Sequence, residues 1–185
     1  MTQSLTIQQR INRYVMTTAD AVGTLYAKQL YGHTLIVIYS AIDTMGLLDA
    51  PPAQTSATSE SFKNWTTKYL LSDQRIAFNV EDLWGARCAV LHTFSSQSDH
   101  SENGKAKELS YYLAHRGSAA EMEHLRSMKS SDGGKYLHIR LDDFVEIFYL
   151  ASQKFAHDLA ANCHKNSNYY HRFLNTLEVR AVEVA

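Results

Sequence analysis

The sequence predicts a mostly helical fold, a helical bundle with a small two-stranded antiparallel β ribbon in its C-terminal half. Apolar residues recur with helical spacing in most segments between loop-forming stretches. Two short segments instead alternate in polarity and are rich in strand-forming side chains. A length of 185 residues and an apolar fraction of 45% suit a single helical domain over residues 1–185 with its own core.

Three helices are predicted in the first half of the chain. Asp20–Leu48 is predicted as one long helix, capped by its first residue, because its apolar residues form a wide face. Its most apolar part, Leu35–Leu48, is too short to span a bilayer and contains Asp43, so we expect a buried core helix. Ser61–Leu71 has its aromatic residues on one helical side, and Glu81–Phe94 begins with two acidic residues that favour a helix N-terminus.

The second half contains the two predicted strands, Glu108–Ala114 and Lys135–Leu141. Between them, Ser118–Met128 has the pattern of a short amphipathic helix. Leu141–Ala161 is predicted as a long helix with two acids at its start, and Tyr169–Leu177 as a last short one. Clusters of Pro, Gly, Ser and Asn predict loops or turns at residues 49–61, 95–107, 130–134 and 162–168.

Charge and cysteine content narrow the class of protein. The chain has 18 Lys and Arg against 19 Asp and Glu. This balance argues against a protein dedicated to coating nucleic acid, which would carry an excess of basic residues. Cys88 and Cys163 are too few for a disulfide framework, so reduced thiols in a cytoplasmic protein are expected. The polar N-terminal segment lacks the apolar stretch of a secretory signal, and no membrane association is expected.

The helix Glu81–Phe94 carries two polar residues in an unusual setting. Arg87 and His92 lie in a run that is otherwise apolar or small apart from one threonine. A guanidinium in a core must be paired, and the natural partner is Asp43, which is equally isolated in its own apolar helix. One interpretation is therefore structural: Arg87 and Asp43 join two core helices, and His92 complements the dipole at the helix end.

The four-residue spacing between Arg87 and His92 supports a second interpretation. It resembles the signature of HEPN domains, all-helical modules that bind nucleotides or cleave RNA, in which Arg is followed after four to six residues by His. The resemblance implies that the pair meets its copy from a second subunit across a dimer interface, and that cleavage needs no metal or cofactor. Cys88 departs from the polar residue that HEPN ribonucleases usually place after the arginine.

The resemblance also implies roles for these residues. His92 would take the proton of the ribose 2′-hydroxyl or protonate the leaving oxygen, because imidazole titrates near neutrality. Arg87 would stabilise charge on the scissile phosphate as a permanent, forked donor. Asp43 would support the site by holding Arg87 or orienting His92. Five residues correspond to about 140° around a helix, so Arg87 must bend round or the helix must loosen before His92.

Two classes of function remain open. The first is a HEPN-like, metal-independent endoribonuclease acting on RNA as a homodimer, with an antitoxin-like partner if it serves a toxin or defence system. The alternative is a non-catalytic helical interaction protein, or a nucleotide-binding domain that has lost cleavage. The enzyme requires an exposed His92 close to Arg87, whereas the interaction protein requires Arg87 buried on Asp43 with His92 pointing elsewhere.

Two other sets of residues could have a binding function. The segment from His157–Asp158 to Cys163–His164 contains metal-ligating types, but metal-site spacings such as HExxH are absent from the chain, so no metal site is expected. The pairs Tyr111–Tyr112 and Tyr169–Tyr170 have the chemistry to stack on single-stranded nucleic acid. The simpler interpretation is that one tyrosine of each pair faces the core.

Overall fold

The computed structural model describes residues 5–131 and 135–176, without the side chains of residues 100 and 129–131. Most of this part of the chain is helical, and two short strands form a small sheet, as the sequence predicts. The helices are α1 (Ile7–Ala27), α2 (Tyr31–Asp49), α3 (Ser59–Trp65) with a following π-helical turn (Thr66–Leu70), α4 (Val80–Thr93), α5 (Asp99–Glu102), α6 (Ala119–Ser131), α7 (Leu141–Lys165) and α8 (Ser167–Leu174). The strands are β1 (Glu108–Tyr112) and β2 (Tyr136–Arg140).

α1 and α2 replace the single long helix that the sequence predicts over Asp20–Leu48. α1 begins much earlier, after Thr6, which forms a capping box with Gln9. The chain then turns between Ala27 and Tyr31, where Gln29 has a φ of 59°. The prediction of one helix was wrong because neither Gly nor Pro marks this break.

The core lies where α1, α2, α3 and α7 pack together. Its largest fully buried side chains are aromatic and include Trp65, Tyr39, Phe62, Phe144, Phe148 and Phe155. α2 approaches α3 closely because Gly46 has no side chain: a Cβ there would lie 2.7 Å from the carbonyl oxygen of Ser61. α4 packs against α2, α3 and β1, and this arrangement positions the site described below.

β1 and β2 are parallel, with Glu108 opposite Tyr136 and Tyr112 opposite Arg140. The predicted antiparallel ribbon was therefore wrong, although both strands lie where the sequence places them. α6 lies in the connection between the strands, and this connection has the length and the helix that a parallel pair requires. The helix predicted at Ser118–Met128 already favoured a parallel pair.

The other predicted helices are present with small shifts. α7 extends to Lys165, and the last helix runs from Ser167 to Leu174. Leu177, the predicted end of that helix, and residues 132–134 of the predicted turn lie outside the described residues. Within the described ranges, none of the helices combines the length and the apolar character that crossing a membrane requires.

Candidate functional site

Asp43, Arg87 and His92 come into contact where α2 and α4 pack side by side. Asp43 lies in the second half of α2, Arg87 near the middle of α4, and His92 in its last turn. The start of α4 is fixed by a capping box, in which Asn79 accepts from the backbone N–H of Asp82 and the Asp82 carboxylate accepts from that of Asn79. The structure therefore brings together the three residues that the sequence singled out.

The Arg87 guanidinium binds one carboxylate oxygen of Asp43. Its Nε and Nη2 donate to Oδ2 of Asp43 over 2.9 and 2.6 Å. The two side chains are only 18% and 17% exposed. Burial alone would lower the pKa of Arg87, but the hydrogen bonds and negative charge of Asp43 raise it above its ordinary value. Arg87 is therefore a permanent cation held in one orientation.

The other terminal nitrogen of Arg87 contacts His92. Arg87 Nη1 lies 3.2 Å from His92 Nε2. A guanidinium carries only donors, so Nε2 must accept, and the proton of the neutral imidazole lies on Nδ1. The His92 side chain is exposed, so the ring is open to a ligand. The Nε2 lone pair is occupied by this hydrogen bond, and it can accept a proton from a substrate only when the ring moves away from Arg87.

The contact forms without any loosening of the helix. α4 continues to Thr93, one residue past His92. The separation of about 140° around the axis is instead closed by the long Arg87 side chain, which bends round the helix. The conformation of the Arg87 side chain therefore determines whether Arg87 and His92 form one site.

Trp84 is a part of the site that the sequence analysis missed. The centre of the Arg87 guanidinium lies 5.1 Å from the centroid of the Trp84 ring, within the range of a cation–π interaction. The indole packs edge-on against Phe62 of the core. The only sequence signal was the spacing of three residues to Arg87, which places both on one helix face.

Cys88 contributes no thiolate to the site. Burial raises the pKa of its thiol above the ordinary value, although the neighbouring Arg87 acts in the opposite direction. The thiol is therefore protonated at neutral pH and behaves as a small apolar side chain.

One face of α2 and α4 is less buried than the apolar sequence of these helices predicts. Residues that share this face by helical spacing are half-buried or exposed, so α4 is not the fully buried helix that its sequence suggested. We call this surface the α2/α4 face, and it consists of Ile36, Ser40, Asp43 and Leu47 on α2 and Trp84, Arg87, Cys88 and Leu91 on α4. The Asp43–Arg87 pair thus sits among apolar side chains on an accessible surface.

The residues of the alternative metal site are not brought together. His157 is 87% exposed and lies 3.5 Å from the carboxylate of its neighbour Asp158, whereas Cys163 is buried in the core. Among the side chains that the structure describes, no three His, Cys, Asp or Glu residues are arranged to hold a metal ion.

The tyrosine pairs do not form an exposed stacking platform. Tyr111 packs on Phe144 and its hydroxyl contacts that of buried Tyr39. The Tyr112 hydroxyl donates to Glu121. Arg172, which lies over the Tyr169 ring, donates to three carbonyl oxygens in and after the last turn of α2. These contacts favour the structural interpretation.

Comparison with known proteins assigns no family. No protein-family model matches the chain, and neither does any curated protein or solved structure.

Proposed function

We propose that the chain is a HEPN-like, metal-independent endoribonuclease that acts on RNA as a homodimer. The observation that supports this most is the contact series from Asp43 through Arg87 to His92, because it joins a fixed cation to an exposed imidazole. A purely structural Arg87 needs only Asp43, whereas His92 at the same guanidinium adds a group suited to proton transfer.

In this proposal Arg87 binds the scissile phosphate. Nε and Nη2 remain on Asp43, so the guanidinium stays in place. The exposed His92 ring moves away from Nη1, which then donates to a phosphate oxygen. Holding the cation in place before the substrate arrives favours the extra negative charge that develops on the phosphate in the transition state. Asp43 acts as a positioning residue, since it touches Arg87 and not the substrate.

His92 performs the proton transfer. Nε2 takes the proton of the ribose 2′-hydroxyl while the 2′-oxygen attacks phosphorus, and the bond from phosphorus to the 5′-oxygen of the next nucleotide breaks. The leaving 5′-oxygen needs a proton, which a protonated imidazole from the second copy of the chain can give. The products are a 2′,3′-cyclic phosphate and a 5′-hydroxyl.

The homodimer in this proposal uses the α2/α4 face. The half-buried apolar side chains of this face surround the Asp43–Arg87 pair. Pairing two copies through this face would bring the two His92 rings close to each other. We further propose a cytoplasmic protein of a toxin or defence system, in which an antitoxin-like partner covers this site.

The test is RNA cleavage by the purified protein in excess chelator. We expect cleavage by the wild type and a loss of at least 100-fold in Arg87→Ala and His92→Ala, in line with the usual contribution of acid–base groups. His157→Ala is the matched control, because this exposed histidine lies on α7 and should leave the rate unchanged. Asp43→Lys should abolish activity or folding, because it places a second cation against Arg87.

Two results would reject the assigned roles of these residues. If the wild type does not cleave RNA under any of these conditions and Arg87→Ala unfolds the protein, Arg87 and His92 are structural. A stable Asp43→Lys protein with unaltered cleavage would exclude a role for Asp43.

The second candidate function is a non-catalytic interaction protein or a nucleotide-binding domain without cleavage. The burial of Arg87 on Asp43 and the apolar residues of the α2/α4 face favour it. The same assay separates the two, because a non-catalytic protein shows no RNA cleavage that depends on His92, and His92→Ala leaves its folding unchanged. Substitutions on the α2/α4 face would still disrupt its association.

A further inference from the structure

Phe94 occupies a position at the end of α4 that is unusual for an aromatic residue. Its φ of 51° and ψ of 38° are left-handed, a conformation that favours glycine at helix ends. The backbone N–H groups of Phe94 and Ser95 close the helix on the carbonyl oxygens of Val90 and Ala89. The Phe94 side chain is nevertheless 59% exposed, so burial in the core does not explain why an aromatic ring stands here.

The ring is held in a defined place across the start of α2. It lies so close to Gly32 that a Cβ on that residue would stand 2.8 Å from Phe94 Cε2 and even closer to Cζ. The His33 ring lies beside it, with 5.7 Å between the ring centroids. Gly32 thus provides the space in which Phe94 lies.

Phe94 borders a cleft of about 360 Å³ between α2, α4 and β1. Its walls are apolar and come from Leu35, Ala86, Val90 and Leu109, and its hydroxyl-bearing residues are Ser95, Ser96, Ser110 and Tyr111. Among the described residues that line the cleft, none is charged. The hydroxyl of Tyr111 contacts that of Tyr39.

We propose that this cleft binds a nucleobase of the RNA strand, with Phe94 stacking on the base. The volume suits a small planar ligand, and an aromatic ring with apolar walls and a few hydroxyl groups matches a heteroaromatic base. The lack of charged groups among the described lining residues favours the base over the phosphate. This assignment rests on the proposed function, because the proposed ribonuclease activity identifies the bound nucleic acid as RNA.

The cleft and the catalytic pair share the C-terminal half of α4. Val90 lines the cleft, and His92 follows two residues later, about 3 Å further along the helix axis and on another side of it. An RNA strand that reaches both the cleft and His92 must cross the C-terminal end of α4, where Phe94 lies. The base in the cleft therefore belongs to a nucleotide close to the scissile phosphate in sequence and not to a remote one.

The test measures binding and cleavage separately. Each of the four ribonucleosides, which carry a base but no phosphate, is titrated into the wild type, Phe94→Ala and Gly32→Ala, whose new Cβ displaces the Phe94 ring. We expect both variants to bind the preferred nucleoside at least fivefold more weakly. Met16→Ala, which removes an exposed apolar side chain on α1, is the matched control and should bind like the wild type. Thermal unfolding of each variant verifies that it is folded.

Cleavage kinetics separate this assignment from the proposed ribonuclease. We expect Phe94→Ala to raise KM for RNA at least fivefold and to change kcat by less than twofold, unlike His92→Ala. Nucleoside binding that depends on Phe94 in a protein that does not cleave RNA would support the cleft and reject the ribonuclease. No nucleoside binding, or equal affinity in Phe94→Ala, together with an unchanged KM, would overturn the cleft assignment even if His92-dependent cleavage is present.

Discussion

Arg87 binds its partners in a way that a lysine cannot reproduce. It uses two nitrogens for Asp43 and presents a third to His92 at fixed angles, whereas an ammonium is a single point of charge. The pairing with Asp43 was predictable from the sequence, because each is an isolated charge in an apolar helix. The contact with His92 was not, because it depends on how a long side chain bends round the helix.

The ion pair contributes to stability as well as to the site. Because both side chains are mostly but not fully buried, we expect Asp43→Ala and Arg87→Ala each to lower the free energy of unfolding by about 1–3 kcal/mol, between the values for exposed and buried pairs. The double variant should lose less than the sum of the two, with a coupling of about 1–2 kcal/mol in urea denaturation.

Arg126 and Glu123 offer the matched control for that cycle. Both side chains are about three quarters exposed (74% and 76%), so removal of either should cost less than about 0.5 kcal/mol. Strictly additive losses for Asp43 and Arg87 would show that their contact contributes nothing measurable.

At the scale of helices and strands, periodicity predicted the segments better than their connections. α4, α7 and both strands lie close to their predicted bounds, because their apolar patterns and flanking turn residues are clear. The break between α1 and α2 has no Gly or Pro and depends on the left-handed Gln29, which tertiary packing must favour. The direction of β2 follows from the intervening helix rather than from the strand residues themselves.

The contact between α2 and α3 provides a test at this scale. Gly46→Ala should lower the free energy of unfolding by about 2 kcal/mol, because the new Cβ would meet the Ser61 backbone at 2.7–2.9 Å and outweigh the better helix propensity of Ala. Gly23→Ala in α1 is the control, since its Cβ would make an ordinary contact at 3.4 Å with Tyr149 Oη. That control should be neutral or stabilised by up to about 1 kcal/mol, and equal destabilisation of both would refute the close approach.

Asp73 holds Arg75, which links the segment after the π-helical turn to α7, and we expect this contact to make the stability depend on pH. Hydrogen bonds from Arg75 lower the pKa of Asp73 from 3.8 to about 2, and Arg75 also binds Glu146 on α7. A carboxyl with a lowered folded pKa stabilises the fold above pH 4, and this contribution disappears as the pH falls from about 4 to 2.

The corresponding variant is Asp73→Asn. We expect it to be less stable than the wild type at pH 6, and the difference should shrink toward pH 2.5 in urea denaturation. A difference that stays constant over this range would mean that the ionised form of Asp73 adds no stability.

At the scale of the whole molecule, the sequence predicted the class and the candidate site but not the surface around it. An apolar sequence indicates that a helix lies in the core. The sequence of one chain does not indicate which face a second copy would cover. The half-buried α2/α4 face and the cleft beside Phe94 both depend on how separate segments meet, which no local pattern encodes.

The proposed homodimer makes a prediction about this face. Ser40 is exposed and lies three residues before Asp43 on the same side of α2. Ser40→Arg should therefore yield a folded monomer in sedimentation and lose RNA cleavage, while Met16→Arg on α1 should retain the oligomeric state of the wild type. A Ser40→Arg protein that stays dimeric and active would place the interface elsewhere.

The role of the 2′-hydroxyl is tested by cleavage of an RNA and of a copy with the ribose at the cleaved position replaced by 2′-deoxyribose, both in excess chelator. We predict that the wild type cleaves the RNA to a 2′,3′-cyclic phosphate, that the single substitution stops cleavage at that position, and that His92→Ala cleaves neither. Cleavage that persists at the deoxyribose, or in His92→Ala, would contradict the proposal that His92 activates the ribose 2′-hydroxyl.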